Sequence, residues 1–178
     1  MDQLMLLKPG KDFAEQIFNY RLDFLVHGDP MEGTGSLYRM PDPEDWLSQV
    51  EDLSKPETVP ENWDVTSQYI CVRPYDNRLV GMIQVRHTLN PYLAQYGGHV
   101  AFSVLPSERG KGYATWMLRT VLPYCRDFGL DQVILACDPS WLAGKRVIEK
   151  NGGVFMEKVF DPEYETDVER YRIDLGKR

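Results

Sequence analysis

The sequence predicts an α+β domain, with a mixed, mostly antiparallel central sheet and helices on both of its faces. Helical spacing dominates the first third of the chain, a pair of strand patterns follows, and strand and helix patterns then alternate to the end. An order of this kind buries a sheet between two layers of helices. At 178 residues the chain has the size of one domain, residues 1–178. Residues 1–64 are its helical amino-terminal elaboration, and residues 65–178 carry the sheet.

The amino-terminal part is predicted to hold two helices joined by a loop. Apolar residues recur at helical spacing between positions 11 and 27, and Asp42 followed by Pro43 is typical of a helix start. The intervening residues 28–36 are rich in Gly and indicate a flexible loop. We expect Trp63, in the Pro-rich connection that follows, to pack over the domain, because its large apolar ring is costly to leave in water.

The rest of the chain alternates between strands and helices. The strand candidates are β-type runs that span residues 68–73, 79–87, 97–105, 132–137, 154–160 and 168–175. The 132–137 run is almost wholly apolar, and the last run alternates apolar with charged residues. The first two, separated by a short turn, predict a hairpin. A 3.6-residue apolar stripe over residues 114–128, closed by Gly129, predicts a long helix, and residues 141–150 predict another.

Composition excludes several classes of protein. The net charge of −7 argues against a nucleic-acid binder, which normally presents a basic face. No apolar run approaches the ~18 residues of a membrane span, and the amino terminus lacks a secretory signal, so we expect a cytoplasmic protein. The three cysteines form no CxxC pair and the three histidines lack metal-ligand spacing. We therefore expect reduced core thiols and no metal site.

The segment that carries chemistry is the glycine-rich turn between the 97–105 strand and the long helix. Gly110 and Gly112 let the backbone approach an anion closely, with Arg109 and Lys111 alongside. Free N–H groups and the helix dipole make a helix start a phosphate site. The turn lacks the spacing of a Walker loop and the third glycine of a dinucleotide fingerprint. A plain glycine turn with incidental basic residues is the alternative.

The order Arg109-x-x-Gly112-x-Ala114, after the strand from Gly98 to Pro106, resembles the GNAT superfamily of acyl-CoA-dependent N-acetyltransferases. The 133–137 strand, the 141–150 helix and residues 149–153 resemble the second half of that fold, so the resemblance covers roughly residues 65–175. Nearly the whole chain also resembles a bacterial subgroup of predicted acetyltransferases, through Val85-Arg86-His87, Leu89-Asn90, Gly97-Gly98-His99, Pro106-Ser107-Glu108-Arg109 and Arg170-Tyr171-x-Ile173-Asp174-Leu175.

The resemblance implies the GNAT fold with splayed central strands and acetyl-CoA as co-substrate. Its pyrophosphate would bind the backbone amides of Arg109, Gly110, Lys111, Gly112, Tyr113, Ala114 and Thr115. Its pantetheine arm would bind polar backbone groups of Phe102, Ser103 and Val104. The implied activity is transfer of an acetyl group to a primary amine of a small molecule or a protein, by direct attack in a ternary complex. Homodimers are common in this superfamily.

Two departures from the family pattern concern proton transfer. In the family, a tyrosine on this helix often acts as the acid that protonates the departing thiolate, and its position here is Ile148. Tyr96, Tyr164 and Tyr171 are candidates to replace it as the acid. No acidic residue lies between Gly97 and Ser107, where many members place a glutamate base. His87 and His99 are the candidate bases, because imidazole has a suitable pKa. A histidine that packs in the sheet is an equal alternative for each.

Three alternatives stay open. A non-catalytic acyl-CoA-binding sensor or partner-binding module would explain the missing tyrosine and glutamate. A phosphate-ligand domain unrelated to coenzyme A would explain the glycine turn alone. Cys137 ends a strand near the expected thioester, which leaves an acyl-cysteine route conceivable.

Overall fold

The computed structural model describes residues 3–176, so the first two and the last two residues of the predicted 1–178 domain lie outside it. The helices are α1 (Ala14–His27), α2 (Pro43–Leu53), α3 (Pro91–Tyr96), α4 (Tyr113–Asp127) and α5 (Leu142–Lys150). The strands are β1 (Met5–Leu7), β2 (Thr66–Arg73), β3 (Arg78–Arg86), β4 (Val100–Val104), β5 (Gln132–Cys137), β6 (Val154–Asp161) and β7 (Thr166–Asp174).

The strands form two sheets. The first has the order β1-β2-β3-β4 and the second β5-β7-β6, and each neighbouring pair within them is antiparallel. In the described chain β4 and β5 share no ladder, although they follow each other through α4. The expected central sheet is therefore split between its fourth and fifth strands, which is the splay that the family resemblance implies.

Helices cover both faces of the sheets. On one face α4 contributes Met117, Leu118 and Val121 to a core that also holds Ile148 of α5. On the other face α1 contributes buried residues to a second core, in which the Trp46 side chain of α2 is 1% exposed. The predicted α+β fold with helices on both faces is confirmed.

Most predicted elements are present with small shifts at their ends. The β2–β3 hairpin, the α4 stripe and β5 lie where the sequence indicates, and the Asp42 side chain accepts the Glu44 N–H at 2.8 Å to begin α2. Two short elements were not expected, β1 and α3. The expectation for Trp63 was wrong, since this side chain is 53% exposed.

The 28–36 loop is well anchored, contrary to the expectation of a flexible loop. Gly33 and Thr34 are buried. The Thr34 carbonyl accepts the Trp46 indole N–H at 2.8 Å, and the Gly33 carbonyl accepts a Gln68 amide N–H at 2.7 Å. These bonds fix the loop on the α1 side of the first sheet.

Within residues 3–176, no helix has the length and apolar character needed to cross a membrane. The same part of the chain contains no cluster of three or more side chains suited to hold a metal ion.

Candidate active site

The glycine turn before α4 has the geometry of an anion site. Gly110 and Gly112 adopt φ of 79° and 84°, the left-handed region that favours glycine. Gly112 is the N-cap of α4 and, as a glycine, has no side chain that could cap the N–H groups at the helix start. A Cβ added at either glycine would meet no described atom within 4 Å. The turn therefore offers amide donors and open space, which fits a pyrophosphate.

A buried ion cluster holds this turn against β2. The Glu108 carboxylate is 3% exposed and accepts hydrogen bonds from Arg73 at 2.8 Å and from Lys111 at 2.6 Å, while Arg78 pairs with it at 3.2 Å. Arg73 also donates to the Tyr113 hydroxyl at 3.1 Å. One arginine of β2 thus contacts residues on both sides of the glycines.

The electrostatics of the cluster favour ionised Glu108. Burial raises the pKa of this carboxyl, but the hydrogen bonds and charges of Lys111 and Arg73 outweigh burial, and the pKa lies below its usual value. The Lys111 ammonium donates to Glu108. The Arg109 guanidinium donates to the Asp29 carboxylate at 2.6 Å and to the Val104 carbonyl at 3.2 Å. Both basic side chains of the turn are thus engaged within the protein, and the backbone amides are the donors that we expect an anion to meet.

The gap between β4 and β5 begins at a clasp formed by His99 and Ile134. The Ile134 carbonyl accepts the His99 N–H at 2.7 Å, and the Ile134 N–H donates to Nδ1 of the His99 ring at 3.0 Å. The strands approach so closely here that a Cβ on Gly98 would lie 2.3 Å from the Ile134 carbonyl oxygen. Beyond the clasp the described strands form no ladder, and the gap opens towards the start of α4.

Strand alternation identifies the backbone groups that line this gap. Leu105 donates to Val80 and Arg86 donates to the His99 carbonyl, so odd-numbered β4 residues bond to β3. Phe102 and Val104 therefore direct their backbone groups towards β5. Their Cα partners on β3 are Ile83 and Gly81.

Ser103 differs from its two neighbours in the predicted cofactor set. Its backbone pairs with Met82 of β3, away from the gap. Its hydroxyl lies 2.8 Å from the hydroxyl of Tyr20, which is buried on α1. Phe102 and Val104 fit the pantetheine prediction, whereas the contacts of Ser103 are made within the protein.

The structure separates the two candidate histidine bases. His87 stacks on Phe128 at 3.9 Å beyond the carboxyl end of α4, and its Nε2 lies 2.8 Å from the Ser67 hydroxyl. His99 lies in the clasp between β4 and β5. Burial lowers the pKa of both rings, and that of His99 falls to about 4. Their catalytic roles stay predictions.

Hydrogen bonding defines the tautomer of His99. Its Nδ1 accepts the Ile134 N–H, so in the neutral ring the proton is on Nε2. The lone pair that a base would use is already bonded to the backbone. Burial is the largest cause of the low pKa, and the nearby positive charges of Arg86 and Arg170 lower the pKa further. The neutral ring is a donor at Nε2.

Ile148, at the position where the family usually carries its acid, and the three cysteines are all buried. Ile148 is 1% exposed within the α4 core, and its neighbour Gly144 lies beneath the Trp141 ring. Burial raises the pKa of the Cys137 thiol to about 11, so this group is a thiol at neutral pH. Tyr171, a replacement candidate for the acid, donates its hydroxyl to Glu169 at 2.9 Å.

Sequence reasoning missed the clasp and the ion cluster. Glu108 immediately precedes the glycine turn, and Arg109 and Lys111 are the only basic residues near it in the sequence. Its burial also depends on Arg73, which lies 35 positions earlier, so the sequence carried no local signal for it. The role of Ile134 had no signal, because a backbone N–H carries no information in the sequence.

Comparison with known proteins gives a consistent result. The model of the acetyltransferase (GNAT) family matches residues 33–152. The ribosomal-protein-S5-alanine acetyltransferase of Vibrio fischeri is 18% identical, with a TM-score of 0.75 over 98% of this chain and 94% of that one. The yncA acetyltransferase of Salmonella typhimurium, solved with acetyl-CoA, is 13% identical, with a TM-score of 0.68 over 98% of this chain and 95% of that one.

A third structure extends the comparison to a small-molecule ligand. The microcin C7 self-immunity acetyltransferase MccE, solved with acetyl-CoA and AMP, is 12% identical, with a TM-score of 0.72 over 98% of this chain and 93% of that one. No curated protein matches the sequence at a significant level. The structural likenesses concern the fold, and the family match covers about two thirds of the chain. The glycine turn and the splayed strands lie within that match, and the chain belongs to the GNAT acetyltransferase family.

Proposed function

We propose that this protein transfers an acetyl group from acetyl-CoA to a primary amine. The observation that carries the proposal is the gap between β4 and β5, which opens towards the amide-rich start of α4. A cofactor with a pyrophosphate and an amide-bearing arm is suited to both regions at once. The backbone N–H groups at the start of α4 suit the pyrophosphate, and the backbone of Phe102 and Val104 suits the amides of the arm.

The chain's own residues would bind and orient the reactants. The amides from Arg109 through Thr115 hold the pyrophosphate end, while Glu108 and Arg73 hold the turn in shape. Acetyl-CoA supplies the activated acyl group. The high pKa of Cys137 supports direct attack by the amine over an acyl-cysteine route. Positioning and exclusion of water would supply most of the rate.

A non-catalytic acyl-CoA sensor is the second candidate, favoured by a specific observation. Ile148 occupies the usual acid position in a closed apolar core, and the Nδ1 lone pair of His99 is used by the clasp. Proton transfer would then rely on water or on a group of the acceptor. Turnover with any amine removes this alternative.

We also propose a cytoplasmic protein that acts on a small-molecule or protein amine, with a homodimer as a common assembly for this superfamily. The free, buried state of Cys71, Cys125 and Cys137 is compatible with a reducing compartment.

The first experiment is calorimetric titration with acetyl-CoA, followed by thiol release with an amine panel on the same sample. Gly112→Asp places a carboxylate at the start of α4, where repulsion of about 4 kcal/mol is expected at a separation of ~4 Å. We expect affinity for acetyl-CoA to fall at least about a hundredfold. Wild-type binding with thiol release supports the proposal, binding without release favours the sensor, and no binding overturns both.

Gly129→Asp is the matched control. Gly129 follows the other end of α4, also has a positive φ (95°) and also has no described atom within 4 Å of an added Cβ. Gly129→Asp strains the backbone about as much as Gly112→Asp does, but its carboxylate lies at the far end of α4 from the glycine turn. Unchanged affinity in Gly112→Asp, or an equal loss in both variants, would show that the turn is not the pyrophosphate site.

A further inference from the structure

Arg86 is a partly buried cation without a carboxylate partner in the described chain. It ends β3, and its Nη1 donates to the Gly98 carbonyl at 2.9 Å. No carboxylate of residues 3–176 forms an ion pair with it, and burial lowers its pKa. A guanidinium partly removed from water, with a single carbonyl partner, is stabilised by an anion that completes its hydrogen bonds.

Two further donors lie near this guanidinium. The Nε2–H of His99 has no partner among the described residues, because the clasp uses Nδ1. Arg170, on β7, is 7% exposed; its terminal nitrogens bond Glu157 and the Ala94 carbonyl, and its Nε has no partner within residues 3–176. The Arg86 N–H donates to the His99 carbonyl at 2.7 Å, and its guanidinium bonds the adjacent Gly98, so Arg86 and His99 lie side by side. The positive charges of Arg86 and Arg170 both act on the His99 ring.

These donors are open to a ligand beside the expected reaction centre. In the described chain, the buried side-chain polar atoms without a hydrogen-bond partner are Gln68 Oε1 and Arg170 Nε. The remaining nitrogens of Arg86 and Nε2 of His99 are not among them, so a ligand can reach these atoms. Ala101 of β4 and Ala136 of β5 are the partly exposed positions within otherwise mostly buried strands. They lie along the gap from the clasp, beside which Arg86 bonds the Gly98 carbonyl.

The surrounding charges favour a carboxylate over a phosphate. Glu32 and Asp64 act on Arg86 from beyond ion-pair distance and raise its pKa, opposing the effect of burial. A phosphate dianion would be repelled by these two groups, whereas an ammonium would be attracted. The region thus suits a small molecule that carries both an ammonium and a carboxylate.

We propose that Arg86, together with the Nε2–H of His99, binds the carboxylate of the acceptor, and that the acceptor is an amino acid or another carboxylate-bearing amine. Arg170 contributes positive charge and ties α3 to β7 beside the site. This inference rests on the proposed N-acetyltransfer, and it assigns His99 a donor role instead of a base.

The experiment pairs α- and ω-amino acids with the amines obtained by removing their carboxylate. Each compound is titrated calorimetrically into the free protein and into the protein saturated with coenzyme A. We expect carboxylate-bearing members to bind, and we expect Arg86→Gln to weaken that binding at least about tenfold, as for a lost charge-assisted hydrogen bond. The affinity of acetyl-CoA should stay unchanged in Arg86→Gln.

Arg172→Gln is the matched control, because Arg172 is an exposed arginine of β7. Arg86→Lys is a second variant that keeps the charge but loses the fork, and we expect it to bind with intermediate affinity. The proposal is overturned if no carboxylate-bearing member binds wild-type protein, if each amine binds as well as its amino acid, or if Arg86→Gln matches Arg172→Gln. Failure of acetyl-CoA to bind would instead overturn the proposed function, and the titrations on free protein would still decide this site.

Discussion

Protonation of His99 should weaken the folded state at acidic pH, because the ring is clasped in its neutral form. Its exposed fraction is 8%, and burial together with Arg86 and Arg170 lowers its pKa from 6.5 to about 4. The unfolded chain therefore binds a proton before the folded protein does as pH falls. Above about pH 6.5 the ring is neutral in both states and does not change the free energy of unfolding. Between about pH 6.5 and pH 4 the free energy of unfolding falls, because only the unfolded chain takes up the proton.

The magnitude follows from the shift. One pKa unit corresponds to about 1.4 kcal/mol, so acidification from neutral pH to about pH 4 should cost about 3 kcal/mol through this ring alone. That is a large fraction of the ~5–15 kcal/mol by which domains are stable. The substitution His99→Asn removes the titration, while its side-chain oxygen can still accept the Ile134 N–H.

The assay is urea unfolding followed by tryptophan fluorescence across this pH range. We expect His99→Asn to be less stable than wild type at neutral pH, since packing is lost, and the difference to shrink by about 3 kcal/mol towards pH 4. His27→Asn, at an exposed histidine that ends α1, is the comparison variant and reports the cost of removing an imidazole outside the clasp. A pH-independent difference for His99→Asn would refute the buried neutral clasp.

Three more substitutions test other contacts of the site. Glu108→Gln removes a carboxylate from the buried Arg73, which keeps only Asp76 as an acidic partner. It should cost about 3 kcal/mol in urea unfolding and weaken acetyl-CoA binding, and unchanged stability would contradict the cluster. Gly33→Ala places a Cβ 2.4 Å from the Ala101 carbonyl oxygen, at a φ of +72° that disfavours alanine. The free energy of unfolding should fall by about 1–3 kcal/mol in thermal denaturation, and an unaltered midpoint would mean that the 28–36 loop does not pack against Ala101. Tyr20→Phe leaves the Ser103 hydroxyl without its partner and should cost about 1 kcal/mol in urea unfolding, whereas a gain in stability would argue against that hydrogen bond.

Elements with strong local patterns could be predicted from the sequence. The apolar stripe of α4 and the Asp42–Pro43 start of α2 depend on neighbours along the chain, and both are present. α3 could also have been found, because Asn90 caps it and Pro91 occupies its first position. β1 could not, since three residues carry no period and pair with β2 across more than sixty positions.

In the candidate site, too, the local features could be predicted from the sequence and the non-local ones could not. The glycine turn is local, so its conformation follows from Gly110 and Gly112. The clasp is non-local: the His99 ring meets the Ile134 backbone only after α4 has returned the chain to the sheet. For the same reason the pattern could nominate His99 as a base but could not show that its Nδ1 lone pair is already engaged.

The split between the two sheets has a mechanical consequence. β4 and β5 belong to different ladders, so a change in the width of the gap breaks no ladder hydrogen bond. The two clasp bonds and the packing of α4, which contacts β3, β4 and β5, would bear the load. We expect the gap to flex like a hinge with its axis at the clasp, so that acyl groups of different length are accommodated by a change of angle and not by repacking of either core.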